Sequence, residues 1–165
     1  MIQMQKRLLF ICLGNICRSP MAEAIMAKKI VENGLSHEVE VDSAGIISYH
    51  EGEGSDPRMK DHAYRHGYRL THISRPIKED DFRTFDLILC MDDSNWNSLH
   101  RLAPSENAAN KIHRMTEFCT EHDIDSVPDP YYGGAKGFEL VIELLEDACR
   151  ELYLQQVGDD HITNI

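Results

Sequence analysis

The sequence predicts an α/β fold: three layers, with a four-stranded parallel sheet, helices on both of its faces, and a phosphate-binding loop after strand 1. Three observations carry that prediction. Leu8–Ile11 and Asp86–Met91 are short stretches dominated by consecutive apolar residues, the pattern of strands buried on both faces. Helical stretches alternate with the strand candidates, which calls for right-handed βαβ crossovers and one parallel sheet. A compact loop, Cys12-Leu13-Gly14-Asn15-Ile16-Cys17-Arg18, leads from the first strand into a helix, where backbone N–H groups and the positive end of the helix dipole converge.

Taken in order, Leu8–Ile11 ends at Cys12, and Ser19 is the expected N-cap of a helix that takes Pro20 into its first turn. From Met21 to Asn33 that helix is amphipathic, with Met21, Ile25 and Ile30 among its apolar positions and Gly34 as its stop. Glu38–Ala44 reads as the second strand; Val39 and Val41 alternate with polar residues, and Ser43-Ala44-Gly45 brings the strand tip beside the first loop. The polar, glycine-punctuated segment from Ile46 to Ser55 is expected to be a surface loop able to wall a pocket.

Asp56-Pro57 opens a helix to about His66, before Gly67, and sets His62 and His66 one turn apart. Such a pair could hold zinc, but HAYRH lacks the glutamate of HExxH and an obvious third ligand, so both histidines are expected to face solvent. Asp86–Met91 is the third strand, followed by N-cap candidates Asp92, Asp93 and Ser94 and a helix through Leu102. Lys111–Met115 supplies a shorter fourth strand. Pro128–Gly134 is too rich in Pro and Gly for regular structure, and a last helix from about Gly137 to Gln156 is expected to bury Phe138, Val141, Leu144, Leu145, Ala148 and Leu152.

A chain of 165 residues without linker, repeat or low-complexity tract suits one domain spanning 1–165. Its net charge of −11 argues against nucleic-acid and anionic-membrane partners, leaves room for a local positive pocket, and predicts a salt-sensitive penalty for anionic substrates. Lys6-Arg7 before the first apolar run does not make a secretory signal, because Asn15 and Arg18 cut the run short. Five cysteines without paired CxxC spacing speak against a disulfide scaffold or structural zinc and make a reducing cytoplasm the expected compartment.

The loop pairs Cys12 at its start with Arg18 at its end. A thiolate is the reactive nucleophile, and a helix N-terminus with a nearby guanidinium lowers a thiol pKa from about 8.5 to roughly 3.5–7.5. Arg18 can grip two oxygens of a phosphoryl group with its planar fork, which lysine cannot. Gly14 permits a positive φ or a close backbone approach, and Asn15 is the next most tolerant residue for a left-handed turn.

CLGNICRSPMAEAI resembles the signature of the low-molecular-weight protein tyrosine phosphatases. Further landmarks follow in family order: Asp42-Ser43-Ala44-Gly45, Asp56-Pro57-Arg58, Thr71-His72-Ile73-Ser74-Arg75, Leu89-Cys90-Met91-Asp92 and Asp129-Pro130-Tyr131-Tyr132-Gly133. The resemblance implies a phosphotyrosine hydrolase working through a cysteinyl phosphate. Cys12 is its nucleophile, Arg18 its phosphate clamp and Asp129 its general acid and then base. Leu13, Gly14, Asn15, Ile16, Cys17 and Ser19 complete the phosphate loop. Tyr49, Tyr131 and Tyr132 are implied aromatic walls, although the family more often carries tryptophan near Tyr49, and plain exposure of that tyrosine stays open. Ser43 and His72 are implied to fix Asn15, and Asp92 to support the site from behind. Ser43 and His72 as ordinary turn residues remain alternatives.

The resemblance further implies no cofactor or metal, a monomer, phosphotyrosine proteins as substrates, and phosphate or other oxyanions as inhibitors. Cys17 is either a redox partner that traps oxidised Cys12 as a disulfide or a small loop residue. Tyr131 and Tyr132 resemble tyrosines phosphorylated in some family members; packing without regulation is the competing reading. Two other activities share this fold and loop. Arsenate reduction needs a cysteine relay, for which Cys90, Cys119 and Cys149 are poorly placed. Phosphoarginine hydrolysis resembles a version with threonine where this chain has Ile16, which favours phosphotyrosine.

Overall fold

The computed structural model of the protein describes residues 5–158, except for the side chain of Tyr132. Strand β1 (Lys6–Cys12) pairs in parallel with β2 (Val39–Gly45) on one side and β3 (Leu87–Cys90) on the other, and β4 (Ile112–Arg114) pairs with β3. The strand order is therefore β2-β1-β3-β4. Because the order reverses beside β1, the connections leaving β1 and β3 turn to opposite faces, and a crevice opens at the carboxyl end of β1.

The unbroken apolar run of β1 has a direct cause. Leu8, Phe10 and Cys12 face one core, with α1 (Arg18–Glu32) and α6 (Ala135–Tyr153), while Leu9 and Ile11 face a second core. That second core is built by Phe82 of the one-turn helix α3 (Asp81–Thr84), Leu99 of α4 (Asp93–Leu102) and Ala108 of the one-turn helix α5 (Glu106–Ala109). Helix α2 (Pro57–Arg65) lies on the α1/α6 side, with Met59 and Ala63 in the first core. All six residues expected to be buried along the last helix are buried. At roughly 1.5–3 kcal/mol per large apolar side chain, this packing rather than propensity holds α6.

Several boundaries differ from expectation. α1 begins at Arg18, with Cys17 at the N-cap position, so Ser19 lies inside the helix and its hydroxyl is committed elsewhere. Asp56 and Asp92 do cap their helices, accepting the N–H groups of Arg58 and Asn95. Gly34 ends α1 at φ +70°, a conformation only glycine takes without steric cost. The helices α3 and α5 and a 3₁₀ turn, Met115–Phe118, are too short to show a helical period in sequence. A further 3₁₀ turn, Pro130–Tyr132, lies inside the Pro/Gly-rich loop, and α6 passes into a π-type turn, Leu154–Gly158, rather than running on to Gln156.

The histidine pair on α2 is also corrected. His66 is exposed, but His62 is buried and stacks on Phe138, with ring centroids 5.4 Å apart. Both rings meet the carboxylate of Glu139 from α6, at 3.3 Å for His62 and 2.6 Å for His66. The partner missing from the sequence motif is thus on another helix, where its carboxylate links the end of α2 to α6 through both rings.

Candidate active site

The loop after β1 turns through Asn15, which adopts φ +58°. Of the two uses open to Gly14, a positive φ or a close approach, the structure shows the second: its φ is not positive, and a Cβ there would come within 3.1 Å of the His50 ring. Asn15 tolerates the left-handed region better than other L-residues, and four hydrogen bonds fix its amide. The Arg75 backbone N–H, which can only donate, reaches Oδ1 at 3.0 Å and so sets the amide's orientation. His72 Nε2 donates to the same oxygen at 2.8 Å, while Nδ2 donates to Ser19 Oγ at 2.8 Å and Ser43 Oγ at 3.0 Å.

This network reaches the sulfur. Ser19 Oγ accepts from Asn15, which leaves its own proton for Cys12 Sγ, 3.0 Å away. On the far side, Ser43 Oγ donates to Glu23 Oε1 at 2.7 Å, and His72 Nδ1 faces Glu23 Oε1 at 3.2 Å and Asp42 Oδ1 at 3.5 Å. Burial, only partly offset by the Ser43 hydroxyl, pushes the Glu23 carboxyl up to about 7. Burial likewise depresses the His72 imidazole below its ordinary value, against the pull of Asp42.

Arg18, in the first turn of α1, is buried with three acceptors around it. Nη1 donates to Asp92 Oδ2 at 2.7 Å and to the Val127 carbonyl at 2.9 Å, and Nη2 lies 3.7 Å from Asp129 Oδ2. Burial disfavours its charge, but Cys12, Asp92 and Asp129 outweigh that, so the guanidinium pKa rises. Asp129 Oδ1 accepts the Tyr131 N–H at 3.0 Å, bending the Pro/Gly-rich loop over the first one.

Cys12, Leu13, Gly14, Ile16, Cys17, Arg18, Tyr49, Asp129 and Tyr131 line one cavity of about 330 Å³, together with Ile47 and His50, which the sequence reading did not select. Asn15 and Ser19 do not line it; both are buried behind the loop, where they hold Cys12 and the backbone. Tyr49 and Tyr131 expose apolar rings at the cavity, and the Tyr132 side chain lies outside the described residues. Cys17 is buried, and its thiol pKa is raised by that burial first and by Asp56 next.

The family model for low molecular weight phosphotyrosine protein phosphatase matches residues 7–162. The chain belongs to that family. It is 45% identical over 152 residues to a low molecular weight protein-tyrosine-phosphatase of Streptomyces coelicolor, covering 90% of this chain and 92% of the relative. A crystal structure of the protein tyrosine phosphatase from Entamoeba histolytica superposes with a TM-score of 0.90 at 47% identity, over 94% of this chain and 99% of the other. The Drosophila arginine phosphatase is more distant, with a TM-score of 0.85 and 32% identity over 93% and 99% of the two chains.

Within this low molecular weight phosphatase, several residues behind and beside the phosphate loop have roles that the sequence did not assign, although Asp42, Arg58 and Arg75 stand among the family landmarks. Glu23 is four residues beyond Ser19 and so emerges one turn further along the same side of α1. Asp42 is the middle residue of the edge strand β2, in register with Leu9 of β1. Arg75 joins Asp42 to Asp81, with Nη2 3.0 Å from Asp42 Oδ2 and Nη1 2.9 Å from Asp81 Oδ2. Arg58 pairs with Asp56 at 2.9 Å and donates to the Tyr131 carbonyl at 3.0 Å, tying α2 to the Asp129 loop.

Proposed function

We propose that the protein hydrolyses phosphotyrosine in protein substrates through a cysteinyl-phosphate intermediate, with Cys12 as nucleophile, Arg18 as phosphate clamp and Asp129 as acid and base. The observation that supports this reading is the convergence on one cavity of Cys12 and Arg18, from the two ends of the first loop, with Asp129 from a segment more than a hundred residues away. The sulfur of Cys12 attacks phosphorus; the S–P bond forms as the bond to the phenolic oxygen breaks, and Asp129 delivers its proton to that oxygen. In the second half, Asp129 takes a proton from water, the hydroxyl oxygen bonds to phosphorus, and the S–P bond breaks to return thiolate and phosphate. Ser19 donates to the sulfur as it leaves, and Arg18, fixed by Asp92 and Val127, grips the equatorial oxygens throughout.

The aromatic faces of Tyr49 and Tyr131 suit a phenyl ring above the phosphate, and Ile16 lends the cavity an apolar edge. Phosphoarginine is the second reading, favoured by the likeness to the Drosophila enzyme. Arsenate reduction finds no support in the placement of Cys90 and Cys149, both buried in the cores, or of Cys119; none of the three lines the cavity. Phosphate, as product, and other oxyanions are expected inhibitors, and the proposed enzyme works as a cytoplasmic monomer. Among the described residues no helix is long and apolar enough to cross a membrane.

Both Cys12 and Cys17 are free thiols lining the cavity. Peroxide would oxidise Cys12 to a sulfenic acid, and the Cys17 thiol would displace water from it to give a disulfide that a thiol reductant reopens. Peptide mass analysis of peroxide-treated protein with no Cys12–Cys17 link would refute this regulation.

The deciding experiment compares p-nitrophenyl phosphate, phosphotyrosine peptide and phosphoarginine peptide with wild type, Cys12→Ser and Asp129→Ala. Cys12→Ser is expected to abolish turnover. Asp129→Ala should lower it by about 10²–10⁴-fold, least with p-nitrophenyl phosphate, whose leaving group needs little protonation. Undiminished turnover in either variant would overturn the assignment, and preference for phosphoarginine would select the second reading.

A further inference from the structure

Behind the phosphate loop, Glu23, Asp42 and His72 bring two carboxylate oxygens and one ring nitrogen within 4.8 Å of one another. We propose that these three side chains form a site for a divalent transition-metal cation, best fitted to zinc, coupled to the loop through His72 and Asn15. The site does not depend on the phosphatase mechanism and uses none of its reacting groups.

The spacing is that of metal ligands. Zinc bonds to imidazole nitrogen and carboxylate oxygen are about 2.0–2.2 Å, so two ligand atoms on a tetrahedral ion lie about 3.3–3.6 Å apart. Glu23 Oε1 and His72 Nδ1 are 3.2 Å apart, and His72 Nδ1 and Asp42 Oδ1 are 3.5 Å apart. The three donors already stand at two edges of such a tetrahedron, with a mixed N/O set suited to zinc.

The ring's tautomer points the right atom at the ion. Asn15 Oδ1 can only accept, so His72 Nε2 carries a proton and donates it. With Nε2 protonated, Nδ1 facing two carboxylates leaves only acceptors on that side of a neutral ring, an arrangement that needs a cation between them, whether a proton or a metal. A ligating histidine whose other N–H is held by an oxygen acceptor is the usual outer arrangement of a zinc site.

Charge and access agree. Asp42 and Asp81 contribute two negative charges and Arg75 one positive charge, with Arg75 paired both to Asp42 Oδ2 and to the two oxygens of Asp81. Glu23, whose carboxyl burial pushes up to about 7, adds a third negative charge once ionised, so with neutral His72 the cluster then carries net −2, which a divalent ion neutralises. Ser43 occupies only part of the carboxylates' accepting capacity, with its N–H on Asp42 Oδ1 and its O–H on Glu23 Oε1. Access is through a groove of about 510 Å³ between α1 and the segment 67–72, lined by Pro20, Ala24, Leu70, Glu23 and His72.

Metal on Nδ1 would sharpen the donation of Nε2–H to Asn15 and so hold the loop more firmly. The test uses the Cys12→Ser protein, which removes the reactive thiol as a competing ligand, titrated with zinc chloride by calorimetry and with cobalt(II) by absorption. The expected results are one bound ion, a cobalt spectrum without a thiolate charge-transfer band, and a rise in the melting temperature with zinc. Glu23→Gln should weaken binding by at least ~10-fold, a loss no smaller than those seen for outer-shell changes, whereas His66→Gln should leave it unchanged. Nitrogen NMR of the imidazoles covers the case in which Glu23→Gln fails to fold: zinc should move the His72 Nδ1 resonance in the parent protein. No binding, a thiolate band, an unmoved His72 Nδ1, unaltered affinity in Glu23→Gln or loss in His66→Gln would each overturn the proposal.

Discussion

Asp92 joins Arg18 to helix α4: its Oδ2 accepts from Arg18 Nη1 at 2.7 Å while its Oδ1 caps the helix by accepting the Asn95 N–H at 2.8 Å. One carboxylate therefore both orients the phosphate clamp and fixes where the next helix starts. The two tasks separate by substitution. Asp92→Asn keeps a capping oxygen but loses the charge-assisted bond, worth about 1.5–3 kcal/mol, so kcat/KM for p-nitrophenyl phosphate should fall by about 10–100-fold with the helix intact. Asp92→Ala should show the same kinetic loss and a further destabilisation of about 1 kcal/mol in denaturant melts. Wild-type kinetics in Asp92→Asn would mean that Val127 alone positions Arg18.

Arg58 plays a comparable part for the other loop. Its guanidinium stacks between Tyr131 and Phe138, at 5.3 and 4.9 Å from the ring centres, and donates to the Tyr131 carbonyl two residues past Asp129. Arg58→Met keeps the bulk of the stem and loses the donors. The acid should then be less well held, so turnover of phosphotyrosine peptide is expected to drop about 3–10-fold, with a smaller drop for p-nitrophenyl phosphate and little change in phosphate inhibition. Equal losses on both substrates would show that Arg58 acts on binding rather than on proton delivery.

How much of this was legible before the structure depends on where the information lies in the chain. Cys12 to Arg18 is contiguous, and a strand, a tight loop and a helix N-terminus each leave a local mark, so the sequence alone points to an anion site. Asp129 became legible through its loop signature. The roles of Glu23, Asp42 and Arg75 did not, even with Asp42 and Arg75 inside family landmarks, because those roles are pair contacts between segments up to dozens of residues apart, and no local period records such a contact. His62 misled for the same reason: the ring that covers it, Phe138, belongs to α6. Ser19 has the residue type of a cap, but the helix starts two residues sooner, and the hydroxyl turns inward to the sulfur.

Asp147 offers a prediction about stability rather than catalysis. Its buried carboxylate accepts three successive backbone N–H groups, from Thr120, Glu121 and His122, and the His122 ring nitrogen lies 2.7 Å away. Burial pushes the acid up, but these donors outweigh it and hold the pKa at about 2. Since the folded value lies below the unfolded one, near 3.9, the stabilisation is complete above that pH and is lost as pH falls through about 2. His122 runs the opposite way: Asp147 raises its pKa, so its contribution is full below about 6.5 and fades as pH rises through the raised value. Asp147→Ala should cost about 2–4 kcal/mol at pH 5 by leaving N–H groups without their acceptor. Urea melts should show the gap from wild type narrowing between pH 4 and 2.

Asn15 combines two demands that a pair of variants can pull apart. Its backbone sits at φ +58°, and its amide serves four partners, among them the serine that donates to Cys12. Alanine would lose the amide and also pay the left-handed penalty of about 1–2 kcal/mol; glycine would lose the amide alone. If conformation were the whole role, Asn15→Gly should turn over p-nitrophenyl phosphate like wild type. The four bonds argue otherwise: without them Ser19 and His72 lose their common anchor, Ser19 is free to rotate away from the sulfur, and the loop's N–H groups are no longer aimed at one point. We therefore expect Asn15→Gly to be more stable than Asn15→Ala by about 1 kcal/mol, while both lose at least ~10-fold in kcat/KM, the effect of one charge-assisted bond or more. Near-normal catalysis in the glycine variant would show that the backbone bend, and not the amide, is what the sulfur requires.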